Sequence, residues 1–264
     1  MVIVNNYEIE ILHKGDIAKK LADAIDRQDE LIVLKNGEAP YKVVIGIPHQ
    51  AKSGVRKICS IPKSRASDEN AASYPIVAFN SLKEKAVSCK LVIMAHATGK
   101  DPNKYDDTPY FQEIFSEKSE LLFECHGASK ERQNDIELSA GSNKLSNTVE
   151  FGEYFVNRLR DKYKIGIQIK TATKEAFIFE KNGTKKKEEL ERAGNNTKSL
   201  IVAEKENGIP ALHLEAKPKF RKPVEGKTIS DDGSVLGEAI AQSLFEYMLV
   251  SKVSILNQVE SDEE

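Results

Sequence analysis

Three short apolar runs limit what this chain can fold into: "VVIGI" at 43–47, "KLVIM" at 90–94 and "LLFEC" at 121–125. None alternates apolar with polar residues, so each is expected to be a strand covered on both faces, as in a parallel sheet packed between helices. Between the first and second runs, "SDENAASYPIVAFNSLKEK" reads as a helix with Ser67 or Asp68 as its N-cap and with Pro75 as a kink or break. Between the second and third, "TPYFQEIF" reads as a short helix, so the order is βαβαβ.

The flanks extend this pattern. "MVIVNNYEIEILHKGD" opens on an apolar stretch but carries acids early and no basic segment, so it reads as a first strand and not as a signal peptide. "GDIAKKLADAIDRQDELI" has apolar residues at 17, 21, 25 and 31–32, a helical period, with Asp16 as cap. The Lys-, Arg-, Ser- and Pro-rich residues 51–67 are expected to form a loop. After residue 134 come "DIELSAG", the amphipathic "TVEFGEYFVNRLRDKYK" and "IGIQIKTA", then a charged excursion at 181–199. "IPALHLEAK" is the last strand, and "VLGEAIAQSLFEYMLVSKVSIL" is a long closing helix before a frayed acidic tail. No repeat or linker divides the chain, so residues 1–264 are expected to form one α/β domain, three-layer αβα, with a mixed, largely parallel sheet.

Composition excludes more than it selects. Hydrophobic residues make up 40% and charged residues 30%, and the net charge is -2, which gives no hint of nucleic acid or an anionic membrane as a partner. No apolar run reaches the ~20 residues of a membrane-spanning helix. Cys59, Cys89 and Cys125 are odd in number and lack C-x-x-C spacing. Neither a disulfide framework nor a thiolate zinc site is therefore expected, and a reducing cytoplasm fits best.

The histidines are the informative residues. Of five, His49, His96 and His126 directly follow apolar strands, at the carboxyl edge where open α/β sheets bind ligands. His213 lies within the last strand, sharing a face with Glu215 two residues on, as Glu124 does with His126. Neutral imidazoles joined by a carboxylate make a three-ligand zinc site with one position open, the pattern of catalytic zinc. The competing assignment for each histidine is a hydrogen-bonded structural residue, with His49 merely closing the turn after Pro48. Cys125 beside His126 is a poor nucleophile pair, because adjacent strand residues point to opposite faces.

These stretches, taken in order, resemble the N-formylglutamate amidohydrolase family within the zinc-dependent, carboxypeptidase-like exopeptidases. "PHQAKSG" resembles that family's P-H-S-G turn, "SDENAA" its acidic helix start, and "DPNK" its D-x-N-R segment. "ECHG" resembles D-x-H-S, and the glutamate of "LHLEAK" that of Q-I-E-I. The resemblance implies a zinc exopeptidase-like, phosphorylase/hydrolase-like fold, with His49 and His126 as zinc ligands and Asp68 or Glu69 as the third. Lys52 stands where H-x-x-E would place an acid, so the carboxylate has to come from farther along the chain. Glu215 would be the general base and then acid. Asn103 and Lys104 would meet the substrate, Lys104 as a point charge where the family has a forked arginine. His96 would polarise the scissile carbonyl, replace a ligand, or do neither.

The expected activity is zinc-dependent hydrolysis of an amide bond, in a small N-acyl amino acid or a γ-glutamyl or peptide-type substrate, by metal-activated water. The alternative is a non-catalytic relative that binds a small ligand or a protein partner.

Overall fold

A computed structural model describes residues 2–4, 7–9, 31–51, 68–94, 100–131, 135–140, 154–155, 157–158, 169–172, 176–179, 185–187, 197–222 and 229–261. The helix expected near the amino terminus and the loop beyond residue 51 lie outside them, as does most of the amphipathic stretch 148–164.

The apolar runs form the centre of an 11-stranded sheet. β4 (Val43–Ile47), β7 (Cys89–Met94), β8 (Leu122–Gly127) and β13 (Ala211–Ala216) lie in the order β13-β8-β4-β7, and all three of these pairings are parallel. Beyond β7 come β3 (Leu31–Asn36), β1 (Val2–Val4) and β2 (Tyr7–Ile9), each pairing antiparallel. Beyond β13, β9 (Ile136–Ala140) runs antiparallel to it, followed by β10 (Ile169–Ala172), β11 (Ala176–Phe179) and β12 (Lys185–Lys187). The sheet is mixed, parallel through its centre, and flanked by helices, a three-layer α/β fold.

One face is apolar. Ile45 and Ile47, Leu91 and Ile93, Phe123 and Cys125, and Leu212 and Leu214 pack against α1 (Ser73–Glu84) and α4 (Asp231–Ser261). The other face is covered by α2 (Pro109–Ile114) and α3 (Lys198–Lys205), which meet Val44, Val92, Met94, Leu122 and Ala211. α2 starts as its residues dictate: Thr108 accepts a hydrogen bond from Phe111 N at 3.3 Å, and Pro109 sits at the first position, where its missing N–H costs nothing. The fully buried ammonium of Lys90 donates to the Glu113 carbonyl at 2.7 Å near the end of α2, where a cation is favoured.

Five local expectations are corrected. Leu31 and Ile32 do not close a helix; they open β3, where Ile32 and Leu34 are buried alternately, a period of two. α1 begins at Ser73, so neither Ser67 nor Asp68 caps it; the orphan N–H of Ala72 is met at 2.6 Å by the Gln50 side chain, from 22 residues away. Pro75 falls in the first turn of α1 and neither kinks nor splits it. Lys185–Lys187, within the charged excursion, pairs with β11 as a strand, and α4 continues through Ser261 into the acidic tail. Among the described residues, no helix is long and apolar enough to cross a membrane.

Candidate metal centre

β4 ends at Ile47, and the chain turns through Pro48 and His49 into a two-residue ladder, β5 (Gln50–Ala51), parallel to β6 (Asp68–Glu69). The ladder holds because Asp68 N donates to His49 O at 3.0 Å and Asn70 N to Ala51 O at 2.7 Å. This short pairing carries Asp68 to the edge where His49 and His126 lie. His49 Nδ1 is 3.1 Å from His126 Nδ1, and Asp68 Oδ2 is 3.4 Å from the first and 3.3 Å from the second. All three residues are buried.

Each imidazole has its other nitrogen on a carboxylate. His49 Nε2 is 2.8 Å from Asp101 Oδ1, and His126 Nε2 is 3.0 Å from Glu124 Oε1. With those nitrogens donating, both Nδ1 lone pairs and the Asp68 carboxylate converge on one point, a repulsive arrangement unless a cation or a proton occupies it. Tetrahedral zinc with bonds of ~2.0–2.2 Å separates its donor atoms by about 3.3–3.5 Å, close to the triangle found. Two imidazoles and one carboxylate fit the ion in chemistry as well as in spacing.

Without a metal, a proton does the same work. Burial opposes charge on His126, but its hydrogen bonds to Asp68 and Glu124 outweigh this and raise its pKa to about 9. For Asp68, burial is likewise overcome by the His126 and His49 hydrogen bonds, which hold the carboxyl well below the usual range.

Glu124, His126 and His213 form a second cluster able to hold a cation. Glu124 is already saturated: Oε1 accepts from Asn103 Nδ2 at 2.9 Å and faces His126, while Oε2 accepts from Tyr110 at 3.0 Å and Ser199 at 2.7 Å. Burial opposes its charge, but His126, by hydrogen bond and charge, together with the Asn103 amide, holds its pKa at about 2. Glu124 is therefore a brace for His126. Tyr110 reaches it because residue 46 is glycine; a Cβ there would lie 2.2 Å from the Tyr110 hydroxyl.

The remaining candidates fall as follows. Glu69 lies apart from the triangle: strand alternation turns it away from Asp68, and its carboxylate lies 3.9 Å from Lys222. Glu215 is buried, in register with His126 on the same face, with Oε1 4.0 Å from His213 Nε2. Of the cations that follow it in the chain, Lys217 meets Asp135 at 3.3 Å, and Arg221 hydrogen-bonds backbone carbonyls and interacts with the Glu215 charge. The His213 ring lies 4.4 Å from that of His126, and burial together with the His126 charge lowers its pKa to about 3, leaving it neutral. Asn103 is buried with its amide nitrogen on Glu124, whereas Lys104 is half exposed with its ammonium 3.0 Å from Asp101 Oδ2. His96 lies outside the described residues. Cys125 packs in the apolar core on the far face, and burial pushes its thiol pKa well up.

Two supporting residues carried a signal that sequence reasoning did not use. Asp101 opens the "DPNK" segment, and Glu124 stands two residues before His126 on the same strand face. Tyr110 and Ser199 carried none.

No protein-family model matches the sequence, and no curated protein matches it. Among solved structures, a metallo-carboxypeptidase from Burkholderia cenocepacia is similar, at 15% identity and TM-score 0.50, over 90% of this chain and 68% of that one. A bacteriophage poly-gamma-glutamate hydrolase matches at 15% identity and TM-score 0.48, over 83% of this chain and 90% of that one. N-formylglutamate amidohydrolase from Ralstonia eutropha JMP134 matches at 9% identity and TM-score 0.47, over 85% of this chain and 98% of that one. The likeness to the first is one of fold, and it reaches the fold group to which the sequence motifs pointed, not one family within it.

Proposed function

We propose that this chain is a zinc-dependent hydrolase of an amide bond in a small N-acyl amino acid or a γ-glutamyl or peptide-type substrate. His49 Nδ1, His126 Nδ1 and Asp68 Oδ2 would hold the ion. The observation that carries this reading is the triangle of 3.1, 3.3 and 3.4 Å among those three atoms, with the outer nitrogen of each imidazole on a carboxylate. Zinc, when bound, polarises a carbonyl and brings the pKa of a water toward ~7.

The chain's own residues do the rest. Asp101 and Glu124 hold a proton on Nε2 of each ring, so that each Nδ1 is the nitrogen turned to the ion and both rings stay fixed. Glu215, on the His126 face, takes a proton from the attacking water and returns it to the departing amine. Neutral His213 lines the same wall. Lys104 already neutralises Asp101 at 3.0 Å, so a substrate carboxylate competes for its ammonium. That engagement favours a second reading, a ligand-binding relative without turnover.

The test is zinc stoichiometry after dialysis, alongside turnover of N-acyl glutamates and γ-glutamyl oligomers. One zinc per chain is expected, lost in His49→Ala and His126→Ala. Full retention in both variants rejects the ligand set. Zinc binding without turnover of any amide selects the second reading.

A further inference from the structure

Arg221 is 5% exposed, and its guanidinium contacts three separate segments of the site. Nε donates to the Ala216 carbonyl at 2.9 Å, one nitrogen of the fork donates to the Glu69 carbonyl, and the other donates to the Ala128 carbonyl at 2.8 Å. Each acceptor lies one or two residues beyond a side chain of the site: Ala216 follows Glu215, Glu69 follows Asp68, and Ala128 is two past His126. We infer that Arg221 is a positioning residue that holds the strand ends carrying Asp68, His126 and Glu215 at fixed separations. Its consequence for the metal rests on the function proposed above; its consequence for the backbone does not.

The chemistry requires arginine. Three nitrogens in one rigid plane bond three carbonyls at once, whereas an ammonium on a flexible stem has no such geometry. A buried charge is costly unless it is compensated, and here three carbonyl dipoles meet it, with the Asp68, Glu215 and Glu69 charges nearby. The site is shaped to admit it: at Gly127, the residue after His126, a Cβ would lie 2.5 Å from Arg221 Cζ and 2.6 Å from one of its terminal nitrogens. Glycine at 127 and arginine at 221 therefore form a matched pair. The 3-10 turn Pro218–Phe220 delivers the side chain, with Arg221 N on the Pro218 carbonyl at 2.9 Å and Phe220 fully buried.

The test compares the wild type with Arg221→Lys, Arg221→Ala and Gly127→Ala, the last displacing the guanidinium without removing the charge. Amide hydrogen exchange is read first on metal-free protein. Faster exchange confined to segments 68–72, 126–128 and 214–217 is expected in all three variants; a uniform increase that tracks global stability, or no change, overturns the inference. Zinc affinity, by competition with a chromophoric chelator, is expected to fall about 10–100-fold in Arg221→Lys as in Arg221→Ala. Millimolar guanidinium, but not methylammonium, is expected to restore it in Arg221→Ala. Arg221→Lys within about twofold of wild type overturns the inference. If the wild type takes up no zinc, the function proposed above fails, and the exchange pattern alone decides the role of Arg221.

Discussion

On the face under α1 and α4, strands β4, β7, β8 and β13 present Ile45, Leu91, Phe123 and Leu214, whereas on the opposite face β8 and β13 present Glu124, His126, His213 and Glu215. Both sets are buried, and residues only one position apart belong to different faces. The apolar face needs only close packing, because its atoms ask for no partners. A buried polar atom opposite is costly unless it is matched, and Glu124 alone gathers donors from Asn103, Tyr110, Ser199 and His126. The difference separates what stabilises the molecule from what it does, and each can be perturbed separately.

The largest effect is expected on the apolar face. Phe123→Ala removes a fully buried ring and should destabilise the protein by about 3–5 kcal/mol, read by chemical denaturation. Zinc affinity per folded molecule should stay within about threefold, and a larger loss would mean that the two faces are coupled. On the polar face the balance reverses: Glu215→Gln is expected to lower kcat by roughly a hundredfold or more at unchanged zinc content. Loss of zinc in that variant would make Glu215 a ligand and remove it from proton transfer.

The comparison sharpens with pH. In the metal-free protein the His126 pKa stands at about 9, above its ordinary 6.5, so the stability from its proton is full below 6.5 and lost as pH rises through 9. Zinc needs that same nitrogen without its proton, so between pH 6 and 8 affinity should weaken about tenfold per unit of falling pH. Chelator competition at three pH values measures the slope, and a flat profile removes His126 from the ligand set. The smallest effect is expected at the rim. Lys104→Met breaks a half-exposed ion pair with Asp101, the kind worth about 0–1 kcal/mol. Zinc affinity should therefore change by less than about fivefold, and a tenfold loss would mean that Asp101 depends on Lys104 to orient His49.

The central strands were legible because unbroken apolar runs of five or six residues have few other uses, and the capped α2 because Thr108 and Pro109 act locally. His49 and His126 stood out as imidazoles at the ends of such strands. Asp68 could not be separated from Glu69, because the two-residue ladder β5–β6 is too short to leave a period in the sequence. The alternating β3 could not be separated from the helix expected before it, because Leu31 and Ile32 satisfy both periods.

The amino-acid sequence by itself determined the layered α/β plan, the order of its central elements and the edge at which chemistry collects, since these follow from local periodicity and capping. Tertiary structure alone decided that Asp68 joins His49 and His126, that Gln50 caps α1 across 22 residues, that Glu124 braces His126, and that Arg221 ties three strand ends through carbonyl oxygens. The physical reason is the same in each case. A backbone carbonyl has no sequence signature, and a buried polar side chain takes its partner from whatever segment the fold brings within about 3 Å, however far along the chain that segment lies.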